Sequence, residues 1–219
     1  HLAVAVITDD GVRTARFDAA ATDRFEIGSI TKTMTGELLA IAIEKGEVTE
    51  DDPLAQHLPE LGNGEIGRVT LRQAATHTGG IPSLVTDPTV LAGSLAANLT
   101  AGNPYRQTVP EQLASASTMS ADAAPHTYSN LGFQLLGQAL ARAAGMDYRD
   151  LVAQRIWQPL GMWATPLPHA DAELTDQDLR GTTATRRAAA PWTGASLGPA
   201  GAVRSDLDDM VRYATALRE

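Results

Sequence analysis

Two short spacings in this 219-residue chain gather side chains that can do chemistry together. The first is Ser29-Ile30-Thr31-Lys32. At a helix start, positions three apart share a face, so the Ser29 hydroxyl and the Lys32 amine approach each other. A serine is a poor nucleophile until a base takes its proton. A lysine whose pKa is lowered by burial can be that base. The helix N-terminus adds backbone N–H groups and a positive dipole end, which suit an anion developing beside the serine. The second spacing is Tyr128-Ser129-Asn130. A phenol close to a lysine can pass protons to a leaving group, and an asparagine can hold a substrate amide through its donor and acceptor. Ser29, Lys32 and Tyr128 are therefore the candidate catalytic set, with Asn130 as a substrate-binding residue.

The same residues also fit a structural assignment. In it Ser29 is an N-cap, Lys32 a solvated first-turn residue and 128–130 a capped loop. Lysine usage bears on the choice, because the only lysines are Lys32 and Lys45 and every other basic residue is arginine. A lysine kept amid such a preference can do what arginine cannot, namely lose its proton near neutral pH. Lys45 precedes Gly46, where a cation simply suits a helix C-terminus.

The elements that must position these residues follow from periodicity. Residues 2–8 are apolar and β-rich, Asp9-Asp10-Gly11 signals a turn, and 12–17 alternate, which predicts a β-hairpin. A helix is expected over 29–45, stopped by Gly46, and its apolar second half predicts burial on nearly all sides. Thr70 caps a short helix running to His77, and a further helix runs from Pro110 to about Ser117. Leu131, Leu135, Leu136, Ala139, Leu140 and Ala143 share one face of a helix over 129–144, which Gly145 ends. Asp147 caps the next helix, ended by Pro159, and Ser205 with Asp208 forms a capping box for the last one. Residues 164–200 read as loop.

Composition bounds the alternatives. The formal net charge of −9 disfavours nucleic acid and anionic membrane surfaces, both of which need clustered Lys and Arg. No apolar run approaches the roughly 20 residues of a membrane span, and the N-terminus does not read as a signal peptide. With no cysteine, thiolate chemistry and Cys-based metal sites are excluded, and compartment and oligomeric state stay open. The five histidines have no ligand spacing, so no metal is expected. Gly62-Asn63-Gly64-Glu65-Ile66-Gly67 matches a dinucleotide-loop pattern but follows no strand, and reads as a turn. Trp157 reads as core, Trp163 and Trp192 as loop residues near the cleft, and His126 as a surface loop residue close to Tyr128. Asn98-Leu99-Thr100 fits a glycosylation sequon.

Taken in order, five stretches resemble the serine β-lactamase-like family of class C β-lactamases, DD-peptidases, family VIII esterases and D-amino-acid amidases. They are Phe25 to Lys32, Val69-Thr70-Leu71-Arg72 through Ile81-Pro82, Tyr128 to Phe133, Pro159-Leu160-Gly161-Met162, and Gly198-Pro199-Ala200-Gly201 with Ser205-Asp206. The resemblance implies Ser29 as nucleophile, Lys32 as base or base helper, Tyr128 as proton shuttle and Asn130 as the group that orients the substrate amide. It implies no metal or organic cofactor, and a small-molecule substrate (a β-lactam, D-Ala peptide or ester). The implied fold is α/β (α+β): an antiparallel sheet packed on helix 29–45 plus an all-helical region. The expected layout is one domain over 1–219, with sheet and nucleophile helix in 1–48, the helical region in 49–200 and a return to the sheet from 201.

The third motif of that family is the departure. No lysine follows position 45 to supply K-T-G. His77-Thr78-Gly79 has fitting letters but precedes Tyr128 and ends a helix, and Trp192-Thr193-Gly194 precedes the Gly198–Gly201 stretch that it should follow. The expectation is that both ends are cut relative to a complete domain and that the C-terminal strands carrying this motif are missing. Besides a working hydrolase, a penicillin-binding or sensor protein that acylates without turnover, and an inactive relative, remain open.

Overall fold

The computed structural model describes residues 1–84, 95, 100–122, 126–183 and 185–218. Strands β1 (Leu2–Thr8) and β2 (Gly11–Phe17) form the expected antiparallel hairpin, with Leu2 opposite Phe17 and Thr8 opposite Gly11. A second two-stranded antiparallel pair joins β3 (Phe25–Glu26) to β4 (Arg204–Ser205), so the segment leading into Ser29 is tied to a segment almost 180 residues later. The hairpin packs chiefly on the C-terminal helix rather than on helix 29–45.

Helix α1 (Thr31–Glu44) is preceded by a 3₁₀ turn over Gly28–Ile30, so Ser29 lies just before the α-helix and not inside it. Gly28 has φ +52, a left-handed conformation that lets the chain turn sharply from β3 into that turn. Met34, Leu38, Leu39 and Ala42 are buried, but Ile43 is 39% exposed, so α1 buries one side and not nearly all of itself. Short helices α2 (Leu54–His57), α3 (Glu65–Arg68) and α4 (Leu71–Ala75) follow, and Gly62 and Gly67 belong to the turn and short helix there. Thr70 caps α4 in a full capping box with Gln73. Helix α5 (Val109–Ser117) begins with a second capping box, Thr108 with Glu111.

Helix α6 (Asn130–Ala143) is the hub. Its Leu131, Leu135, Leu136, Ala139 and Leu140 are fully buried, and it packs on α1, α2 and α4. Ser129 is its N-cap, accepting from the Gly132 N–H at 2.8 Å. Helix α7 (Tyr148–Val152) is capped by Asp147 and widens into a π-type turn over Ala153–Trp157. Pro159 does not end this helix. It enters the first turn of α8 (Gln158–Leu160), where a missing N–H is tolerated, and Gly161 terminates it in the left-handed conformation. The stretch 164–200 is mostly loop, as expected, with a 3₁₀ turn at Asp171–Glu173 and the start of α9 (Gly198–Gly201). The last helix, α10 (Leu207–Ala216), is capped by Asp206, which accepts from the Asp209 N–H at 2.8 Å. Ser205 cannot serve as that cap. It is held in β4 opposite Phe25, and its buried hydroxyl lies 2.8 Å from that of Thr165. Trp157 is core, and Asn98 and Leu99 of the sequon lie outside the described residues.

Candidate active site

The four sequence-selected residues meet although two come from each end of a gap of about a hundred residues. Lys32 Nζ lies 3.1 Å from Ser29 Oγ and 2.8 Å from Asn130 Oδ1. The Tyr128 phenol donates to Ser29 Oγ at 2.9 Å. Ser29 is exposed and Tyr128 is 47% exposed, whereas Lys32 is only 6% exposed. The cluster is thus open to a ligand at the serine and closed around the amine.

Local rules account for the geometry. The 3₁₀ turn puts Ser29 one turn below Lys32 on the same face, and in such turns positions three apart stand above one another. The side-chain cap at Ser129 starts α6 so that Tyr128 and Asn130 flank the helix mouth. The amine rests beside two rings, with centroids 5.1 Å away for Tyr128 and 5.9 Å for Phe133.

Three further groups were not legible as site residues. The Ala200 carbonyl accepts from Lys32 Nζ at 2.8 Å, and the neighbouring Pro199 carbonyl accepts from Thr35 Oγ1 at 2.7 Å. Two successive carbonyls of α9 are thereby bound by two α1 side chains one turn apart. Tyr105 accepts from Asn130 Nδ2 at 3.1 Å, and its ring meets that of Trp192 edge-on, 5.2 Å between centroids. A cleft of about 650 Å³ opens beside Tyr105, with Arg106, His169, Asp171, Thr193 and Gly194 on its walls. Carbonyls and a lone Tyr in a loop carry no spacing signal, which is why a motif search passes over them. Trp192 thus stands one residue removed from the cluster, its backbone N–H donating to Glu26 Oε1 at 2.9 Å. Trp163 is 78% exposed, and among the described residues no recorded contact joins it to the cluster.

The electrostatics follow from burial. Desolvation lowers the Lys32 pKa from its ordinary value, and the hydrogen bond and charge of Tyr128 offset this only in part. Burial alone would raise the Tyr128 pKa, but the Ser29 hydroxyl and the Lys32 charge outweigh it and lower the phenol. Tyr105 is raised by burial and stays a neutral phenol. Among the described residues there is no cluster of His, Asp and Glu able to hold a metal, and no helix long and apolar enough to cross a membrane.

A family model described as Beta-lactamase matches residues 2–219. The chain belongs to the beta-lactamase family. Among curated relatives, a D-alanyl-D-alanine-carboxypeptidase/endopeptidase, AmpH of Escherichia coli K12, is 34% identical over 197 residues, covering 85% of this chain and 47% of the relative. A Beta-lactamase of the same strain is 28% identical over 190 residues, covering 86% of this chain and 46% of the relative. Among solved structures, the D-alanine carboxypeptidase AmpC of Burkholderia cenocepacia is 26% identical with a TM-score of 0.76, covering 98% of this chain and 58% of that one. A class C beta-lactamase with a TM-score of 0.80 and 19% identity shares the fold, over 98% of this chain and 58% of its own. This beta-lactamase-family chain spans about half the length of the curated relatives it matches.

Proposed function

We propose that the chain is a serine hydrolase that opens an amide, β-lactam or ester bond through a covalent acyl-enzyme on Ser29. The observation that carries the reading is the convergence of a buried amine and a phenol on one exposed hydroxyl, at 3.1 Å and 2.9 Å. A neutral lysine amine has two N–H donors and one lone pair. The Asn130 and Ala200 oxygens, each at 2.8 Å, engage both donors and leave the lone pair toward Ser29 Oγ. Lys32 then accepts the Ser29 proton as the oxygen attacks the carbonyl carbon. Tyr128 gives its proton to the departing nitrogen or oxygen as the tetrahedral intermediate collapses, and is reprotonated directly across its hydrogen bond with Lys32 by the proton that Lys32 took from Ser29. The product is an ester on Ser29, which water cleaves by the reverse proton path. The start of α1 beside Ser29 favours the developing negative charge. Asn130 orients the substrate amide through its side-chain amide.

The test is the intact-protein mass after incubation with a penicillin and, separately, with a p-nitrophenyl ester, beside Ser29→Ala. A covalent adduct or ester turnover that vanishes in the variant is the expected result. An adduct that persists in Ser29→Ala, or a wild-type chain that neither acylates nor turns over, overturns the reading. Acylation without turnover moves the assignment to a binding or sensor protein.

A further inference from the structure

His77 follows α4, one residue past its C-cap Thr76, and the catalytic proposal does not use it. Its contacts nevertheless fall on three consecutive residues around Tyr128. The His77 carbonyl accepts from the Thr127 N–H at 2.9 Å, and its Nδ1 accepts from the Ser129 N–H at 3.1 Å. Between those two bonds, its ring lies against the Tyr128 ring, 4.6 Å between centroids and tilted by 38°. The same ring meets Phe133 of α6 at 5.0 Å. His77 holds this posture with φ +60, a conformation disfavoured for a residue with a Cβ.

We propose that His77 is a positioning residue for Tyr128: it binds the backbone on both sides of the phenol, packs on its ring, and so holds the hydroxyl on Ser29. The inference rests on the reading of Ser29 as the acylated residue. The clamp requires the neutral imidazole, because an Nδ1 that accepts from Ser129 leaves the ring proton on Nε2. The titratable groups facing the ring are His126, whose ring is 5.8 Å away, Tyr128 itself, and Lys32 of α1; Phe133, from α6, is uncharged. Burial, then His126 and Lys32, hold the His77 pKa below its usual value, so the clamp is closed at neutral pH. In acid a second proton on Nδ1 removes the Ser129 bond and loosens the segment.

His77→Asn and His77→Ala separate this role from a merely structural one. Asparagine tolerates the left-handed conformation and its Oδ1 can still accept from Ser129, whereas alanine supplies no acceptor. Acylation of Ser29 by the p-nitrophenyl ester is followed by mass in both variants, with melting temperatures recorded alongside. His77→Ala is expected to slow acylation about a hundredfold, the scale of a misplacement near 1 Å, with the reagent concentration at half-saturation unchanged. His77→Asn is expected to regain about tenfold of that loss. In the wild type, the acid limb of the rate profile should steepen as His77 protonates, and in His77→Asn it should not. Equal rates in wild type and His77→Ala, or equal losses in both variants, overturn the proposal. A readout independent of activity accompanies this. In amide NMR, the Ser129 resonance should follow the His77 titration in the wild type and be flat in His77→Asn. A Ser129 amide indifferent to pH in the wild type also overturns the clamp. If the wild type does not acylate at all, the reading of Ser29 has failed, and the NMR arm alone decides whether His77 holds the segment.

Discussion

At Lys32 a strongly hydrated ammonium has been moved to a place where it is 6% exposed, and among the described residues its hydrogen-bond partners include no carboxylate. Burial without a counter-charge favours the neutral amine, which is the form a base needs. If Lys32 is the base, acylation rises with pH as the amine loses its proton, through a midpoint below the free-lysine value of about 10.4. A profile of acylation rate against pH that rises only near 10 contradicts this. Lys32→Arg keeps charge but cannot deprotonate, and is expected to lower the acylation rate by about 10²–10⁴-fold. Tyr105→Phe, which removes the acceptor of Asn130 Nδ2 but keeps the ring against Trp192, is expected to lower the rate by about tenfold with little change in melting temperature. Kinetics and calorimetry on one preparation check both halves.

Helix contacts decide whether those residues stay aligned. A Cβ built on Gly137 of α6 would fall 2.3 Å from Pro199 Cβ, so α9 approaches α6 only because residue 137 has no side chain. Gly137→Ala is therefore expected to destabilise the protein by about 1–3 kcal/mol, measured by urea unfolding, despite alanine's better helix propensity. Displacing Pro199 also moves the Ala200 carbonyl off Lys32, so the acylation rate should fall as well. Asp52 staples the turn before α2. Its burial alone would raise its pKa, but the Thr49 hydroxyl and N–H, and then His57, bring it down to about 2. The folded pKa lies below the unfolded one near 3.9, so this stabilisation is present above about pH 4 and is lost as pH falls through about 2. Asp52→Asn is expected to cost about 1–2 kcal/mol at neutral pH. The gap between variant and wild-type melting temperatures should close as the pH is lowered through that window.

Across the whole molecule, burial is concentrated where α6 meets α1, α2 and α4, and it is sparse in the hairpin. Leu2, Val4 and Val6 on β1 and Phe17 on β2 are exposed, while Leu135 is fully buried. Leu135→Ala should cost about 2–5 kcal/mol through lost transfer energy and the cavity left behind. Val4→Thr should stay within about 0.5 kcal/mol. Denaturant midpoints of the two variants check the contrast, and a hairpin substitution as costly as the core one would refute this placement of the core.

Local patterns alone determined the hairpin, the start of α6, the capping of α4 and the two separate candidate pairs, Ser29 with Lys32 and Tyr128 with Asn130. Each rests on interactions between residues within a few positions, which spacing reports directly. The tertiary structure decided what spacing cannot carry. It made Asp206 and not Ser205 the cap of α10, because pairing of β4 with the distant β3 holds Ser205 extended. It carried the chain past Pro159, because a wide turn placed that proline in a new first turn. It exposed Ile43, since only one side of α1 meets the rest of the core. The neighbours of the candidate cluster were also beyond reach of the sequence. Ala200, Tyr105 and His77 touch the cluster through a carbonyl, a single loop hydroxyl and an imidazole bound to backbone, and only packing between distant elements brings such groups together.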